Sequence, residues 1–160
     1  MSAADLLVPV PSSVESSGGF LELDATTTLA ADPELNNARR WLARTLGAAT
    51  GWDLFPAAAA DPGISLLLDP ELDAEAYRLE VGAAVVIHAG GPAGAFYAAQ
   101  TLLQLMGPAA LRQAPVPETG GAWPVPKVSI LDHPRFGYRG PCWTWPGTSC
   151  PRTTCSGSSR

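Results

Sequence analysis

Residues 76–106 read AYRLEVGAAVVIHAGGPAGAFYAAQTLLQLM, and the fold turns on how that stretch divides. Its first half offers two β-prone runs, 77–81 and 85–88, with Gly82 between them. Two strands at so short a separation predict a hairpin. Its second half, from Pro92 to the Gly107-Pro108 stop, is apolar at nearly every turn. Proline is tolerated at the first helical position, so a helix begins there. A helix apolar on most sides belongs inside a domain.

The chain before this stretch is consistent with a sheet. GISLLLD, 63–69, is too short an apolar run for a helix and is followed by a turn at Asp69-Pro70, so it reads as a buried strand. Short β-prone runs at 6–10, 19–23 and 26–29 are broken by proline, serine and glycine and read as further strands, some at an edge. Between them, DPELNNARRWLARTLGAATG offers Asp32 as a cap, Pro33 at the first helical position and Gly47 near the end. Leu35, Ala38, Trp41, Leu42, Leu46 and Ala49 follow helical spacing, with Arg39, Arg40 and Arg44 facing elsewhere. The order predicts an α+β domain with two helices packed on one face of a mostly antiparallel sheet.

At 160 residues there is room for one domain, able to bury about two thirds of the surface of its unfolded chain. Net charge is −5 and no run of lysine or arginine occurs, so neither nucleic acid nor an anionic membrane is expected as a partner. The N-terminus, MSAADLLVPVPSS, lacks the basic start and apolar core of a secretory signal, which predicts a cytoplasmic location as written. Residues 1–140 contain no cysteine, so that part does not depend on disulfides.

Three stretches in order resemble the β-N-acetylhexosaminidases of glycoside hydrolase family 20: AYRLEV, then GAFYAAQTLLQL, then DHPRFGYRG after a WPVP linker. The last is the most specific, with Asp132, Pro134, Arg135, Phe136, Tyr138, Arg139 and Gly140 matching the family pattern. The resemblance implies a non-catalytic N-terminal α+β domain over 5–113, a Pro-rich linker over 114–126, and over 127–140 the first strand of a TIM barrel that is otherwise missing. It further implies that the domain's partner is its own barrel. The parent reaction would be hydrolysis of terminal non-reducing N-acetylhexosamine glycosides by a substrate-assisted retaining mechanism, with an Asp-Glu pair inside the barrel. Nothing in this chain matches that pair, so no catalytic residue is expected and the chain alone is expected to be inactive. Only Arg139 carries over as a substrate-binding residue, its family counterpart holding hydroxyls of the terminal sugar. The competing reading is a free-standing carbohydrate-binding or protein-interaction module. Against it, Trp41 and Phe96 lie on predicted helices whose spacing assigns them to the core.

Residues 141–160, PCWTWPGTSCPRTTCSGSSR, lack Asp, Glu, Lys, Val, Leu and Ile yet hold all three cysteines. Read one nucleotide earlier, the codons of Cys142 and Trp143 must yield Leu then Asp, and those of Trp145 and Pro146 must yield Ala. With a suitable choice of wobble bases, mostly C or G, the shifted frame gives Ala-Met-Leu-Asp-Val-Ala-Arg-His-Phe, which resembles the family's continuation. An out-of-frame, disordered tail over 141–160 is therefore expected.

Other residues offer less chemistry. Asp69, Glu71, Asp73 and Glu75 fall between two strands and read as a solvated loop. Cys142, Cys150 and Cys155 with His133 lack the paired short spacing of a zinc site, and no metal is expected. His88 ends an apolar run and reads as structural. GGPAGAF matches neither a dinucleotide nor a phosphate loop, so no cofactor is expected.

Overall fold

The computed structural model describes residues 7–54, 63–115 and 121–134. Their strands are β1 (Ser13–Asp24), β2 (Leu29–Ala31), β3 (Ile64–Leu68), β4 (Tyr77–Val81), β5 (Val85–Ala89) and β6 (Ala122–Asp132). Two helices, α1 (Asn36–Thr50) and α2 (Pro92–Leu105), complete the α+β fold. The six strands form one sheet in the order β1-β6-β4-β5-β3-β2. Three of its five pairings are antiparallel and two, β2 with β3 and β3 with β5, are parallel.

Both helices sit on one face for a topological reason. The connections β2-α1-β3 and β5-α2-β6 each join strands running the same way, and each steps toward the β1 edge. Right-handed crossovers with the same strand direction and the same step place their helices on the same side. There α1 and α2 touch each other, and α2 lies over β4 and β5.

Register turns the alternation of side chains into a core. Ala31, Leu66, Ile87, Leu79, Ile130 and Val14 form a row across all six strands, and Leu29, Ile64, Val85, Val81 and Val128 form the next. Leu66, Ile87, Leu79 and Ile130 are fully buried beneath Leu42, Leu46, Leu102 and Leu103 of the helices. Burying each such side chain contributes about 1.5–3 kcal/mol. At Gly94 an added Cβ would run into the carbonyl oxygen of Ala76, so the lack of a side chain lets α2 settle against the start of β4.

The hairpin, the strand after Gly63 and the helix from Pro92 agree with expectation, while other boundaries shift. Of the expected strand over 6–10, residues 7–10 lack sheet pairing and residue 6 lies outside the described residues; β1 starts at Ser13. Of 26–29 only Leu29 is strand. Asp32 makes no side-chain cap; its carboxylate instead accepts from the Leu68 N–H at 2.7 Å, tying the start of the helical segment to β3. A 3-10 turn, Pro33–Leu35, precedes α1, which passes Gly47 and ends at Gly51.

The largest correction concerns 114–126. Residues 122–126 are not linker, because Ala122–Asp132 is one strand in the interior of the sheet, paired with β1 and, over Val128–Asp132, with β4. Lys127–Asp132 thus belongs to this sheet and not to a barrel. Pro124 and Pro126 misled because proline reads as a sheet breaker. They fall in the half of β6 that has only β1 beside it, where a missing N–H can face no strand. Opposite them β1 bulges between Ser16 and Phe20, with Gly18 and Gly19 both at positive φ (72° and 81°). The rest of the expected barrel strand, 135–140, and the expected tail, 141–160, lie outside the described residues.

Candidate functional site: a cleft at the end of the sheet

The core rows end in a polar one. Leu68, Ala89, Tyr77 and Asp132 form the last row on the helix side of the sheet, and beyond it opens a cleft of about 490 Å³. The segment 7–10 lines it together with α2, through Tyr97, Gln100, Thr101 and Gln104, and with Glu75, His133 and Pro134.

Each element is pinned there by named bonds. The Gln104 side chain reads the backbone of Val8 from both sides, its Oε1 accepting from the Val8 N–H at 2.8 Å and its Nε2 donating to the Val8 carbonyl at 3.2 Å. Asp132 Oδ1 accepts from the Ser12 N–H at 3.0 Å and from its hydroxyl at 3.1 Å. Ser12 Oγ also lies 3.4 Å from His133 Nδ1. Tyr77 Oη is 2.7 Å from Thr101 Oγ1, and Thr101 Oγ1 donates to the Tyr97 carbonyl at 3.1 Å.

Electrostatics follow from this placement. Burial raises the Tyr77 phenol to about 12, the Thr101 bond opposes the rise and the Asp132 carboxylate adds to it. The phenol therefore stays protonated in neutral solution and cannot serve as a base. Asp132 is engaged by Ser12, so the cleft's bonds act as a clamp between the N-terminal segment, β6 and α2. Among the described residues no group of three or more His, Cys, Asp or Glu is placed to hold a metal ion. None of their helices is long and apolar enough to cross a membrane, which leaves β-barrel spans unaddressed.

The residues singled out in the sequence scatter. Arg139, Cys142, Cys150 and Cys155 lie outside the described residues. His133 is exposed on the cleft rim, whereas His88 lies on the opposite sheet face between Arg78 and Leu67. Glu71 and Asp73 are exposed as a solvated loop would have them, and Asp69 holds a local turn by accepting from the Glu71 N–H at 3.0 Å. Glu75 departs from that reading by lining the cleft. Trp41 and Phe96 are half-buried, not core residues: Trp41 packs against the core, and Phe96 lies tilted against Trp41, with ring centroids 4.7 Å apart and planes at 58°. Sequence reasoning missed Ser12, Thr101 and Gln104. The signal available was polarity at 97, 100, 101 and 104, spaced as one side of an otherwise apolar helix.

Comparison with known proteins places this geometry. The family model described as glycosyl hydrolase family 20, domain 2, matches residues 6–133. A β-hexosaminidase of Vibrio furnissii is 32% identical over 136 residues, which cover 84% of this chain and 20% of that protein. Among solved structures, the Streptomyces plicatus N-acetyl-β-hexosaminidase superposes with a TM-score of 0.77 at 34% identity, over 86% of this chain and 28% of its own. The exo-β-N-acetylglucosaminidase of Vibrio harveyi gives 0.71 at 29% identity, over 87% of this chain and 20% of its own. The chain thus spans between a fifth and just over a quarter of the length of these relatives. With a family domain matched from the N-terminal segment to the rim of the cleft, and a fold that superposes on solved hexosaminidases, the chain belongs to glycosyl hydrolase family 20.

Proposed function

We propose that this chain is the accessory domain of a β-N-acetylhexosaminidase, inactive by itself, whose parent enzyme releases terminal non-reducing N-acetylhexosamine from glycosides. One observation carries the reading: the match to the family's domain 2 takes up residues 6–133, while the same likeness reaches only 20–28% of the hexosaminidases.

Residues 141–160 are, in this proposal, translated out of frame, and an in-frame product continues into the parent's own barrel, which is the domain's partner. Resequencing the locus tests this; an intact frame with no hexosaminidase sequence downstream in another frame would overturn it. A nitrophenyl N-acetylhexosaminide assay on the purified 160-residue chain is expected to show no turnover, and turnover would sink the accessory-domain reading. Tyr97, 36% exposed on the cleft wall beside Gln100, favours a second reading as a carbohydrate-binding module. Calorimetry with N-acetylglucosamine oligomers separates the two: saturable heat supports the module, and none supports the accessory domain.

A further inference from the structure

We infer that the outer edge of β1, from Phe20 to Leu23, receives an extended segment of another protein in which lysine or arginine alternates with apolar residues. The inference goes beyond the accessory-domain reading and does not depend on it. β1 ends the sheet order and pairs with β6 alone among the described strands, so one side of a 12-residue strand has no strand beside it. The opposite edge is blunted by being short, since β2 has three residues and Pro33 follows closely. The prolines of β6 fix which backbone groups of β1 face outward. A proline inside a ladder turns its missing N–H away from the neighbouring strand. Pro124 and Pro126 have only β1 beside them, so the residues across from them, Glu22 and Phe20, aim their own N–H and C=O groups at the open edge. Asp24, next in phase, shows the same direction: its N–H donates to Thr27 Oγ1 and its carbonyl accepts from the Thr27 N–H, both at 3.0 Å. Among the described residues no turn does this for Phe20 and Glu22.

Side chains select the occupant. Val14 and Leu21 pack against the core and Leu23 is buried in it, which puts Glu15, Phe20 and Glu22 on the face of the sheet away from the helices. Phe20 is 65% exposed beside the open edge. The bulge at Gly18 and Gly19 confines the receptive part to the residues after it. β1 carries Glu15, Glu22 and Asp24 and no Lys, Arg or His. Neither Glu15 nor Glu22 has an ion-pair partner among the described residues. That charge disfavours a second copy, because antiparallel pairing centred on Glu22 sets two Glu22 carboxylates side by side with no cation of the strand between them. A strand with cations on one face and apolar residues on the other meets both demands. It opposes Glu22 with the opposite charge, and on the helix side it continues the row of Val125 and Leu21. Main-chain bonds give such an added strand its affinity, and its alternate side chains give specificity.

The test titrates three end-capped peptides into the isotope-labelled 160-residue chain in physiological salt, which screens unspecific attraction. They are Lys-Val-Lys-Val-Lys-Val-Lys, its counterpart with glutamate in place of lysine, and a block peptide of the same composition, Lys-Lys-Lys-Lys-Val-Val-Val. The alternating lysine peptide is expected to give saturable shifts at Phe20 and Glu22 and to slow exchange of their amides, and the other two peptides are not. Phe20→Pro removes one outward donor and leaves the bonds to β6, so it should weaken binding about fivefold or more, the loss of one hydrogen bond. Glu22→Lys keeps every backbone group and should shift preference to the glutamate peptide, which decides the matter if Phe20→Pro does not fold. Absence of saturable binding overturns the inference. Equal binding of the block peptide does so too, as does protection confined to residues outside β1. Sedimentation showing self-association of the chain that Phe20→Pro abolishes also overturns it, in favour of a second copy. The accessory-domain reading is tested by other assays, the resequenced locus and the nitrophenyl glycoside, so either idea can fail alone.

Discussion

At the scale of single residues, Tyr77 ties the sheet to α2 through Thr101, and its buried phenol has a measurable consequence. A phenol raised from about 10 in the unfolded chain to about 12 in the fold adds stability that is fully present below pH 10. That stability is lost as pH rises from 10 through 12. Urea midpoints measured across this range should fall for the parent chain, and Tyr77→Phe should remove that part of the slope while costing about 1 kcal/mol at neutral pH. Asp24 shows the opposite sign. Its carboxylate is held below the usual range, chiefly by the Thr26 hydroxyl at 2.6 Å. What it adds is present above the ordinary carboxylate pKa and is lost as pH falls through the lowered value. An NMR titration should find its midpoint low, and Thr26→Ala should move it back up. At Asp132, replacement by Ala removes both bonds to Ser12 and should cost about 1–3 kcal/mol, read in a urea melt and as faster exchange of the Ser12 amide.

At the scale of elements, α2 is held by burial and by close approach to the start of β4. Leu102 is fully buried, so Leu102→Ala should cost about 2–5 kcal/mol in chemical denaturation. Gly94→Ala should cost about 1–3 kcal/mol although it adds only one methyl group and raises helix propensity, because the carbonyl of Ala76 occupies that space. The hairpin and α2 were legible from residues 76–106 because their apolar runs, glycine breaks and Pro92 are local features. β6 was not. Its prolines resemble a linker until the sheet shows that β4 reaches only as far as Val128 and leaves them beside a single strand.

At the scale of the whole molecule, two crossovers of the same direction build a two-layer domain, and its polar end gathers the N-terminal segment, α2 and the end of β6. That gathering makes a clamp. It also explains why the family was recognisable while the site was not: DHPRFGYRG is contiguous, whereas Ser12, Tyr77, Thr101 and Asp132 are separated by long stretches of chain.

Periodicity and local breaks alone determined that this chain folds as α+β, where its hairpin turns and where its apolar helix begins, since each depends on neighbours a few residues away. Only the tertiary structure decided that Ala122–Asp132 is an interior strand, that Asp32 serves β3 and not the helix start, and that one side of α2 remains without charge at a surface. The physical reason is that pairing, burial and hydrogen-bond partners are properties of residues brought together from distant positions, and spacing along one chain does not encode who meets whom.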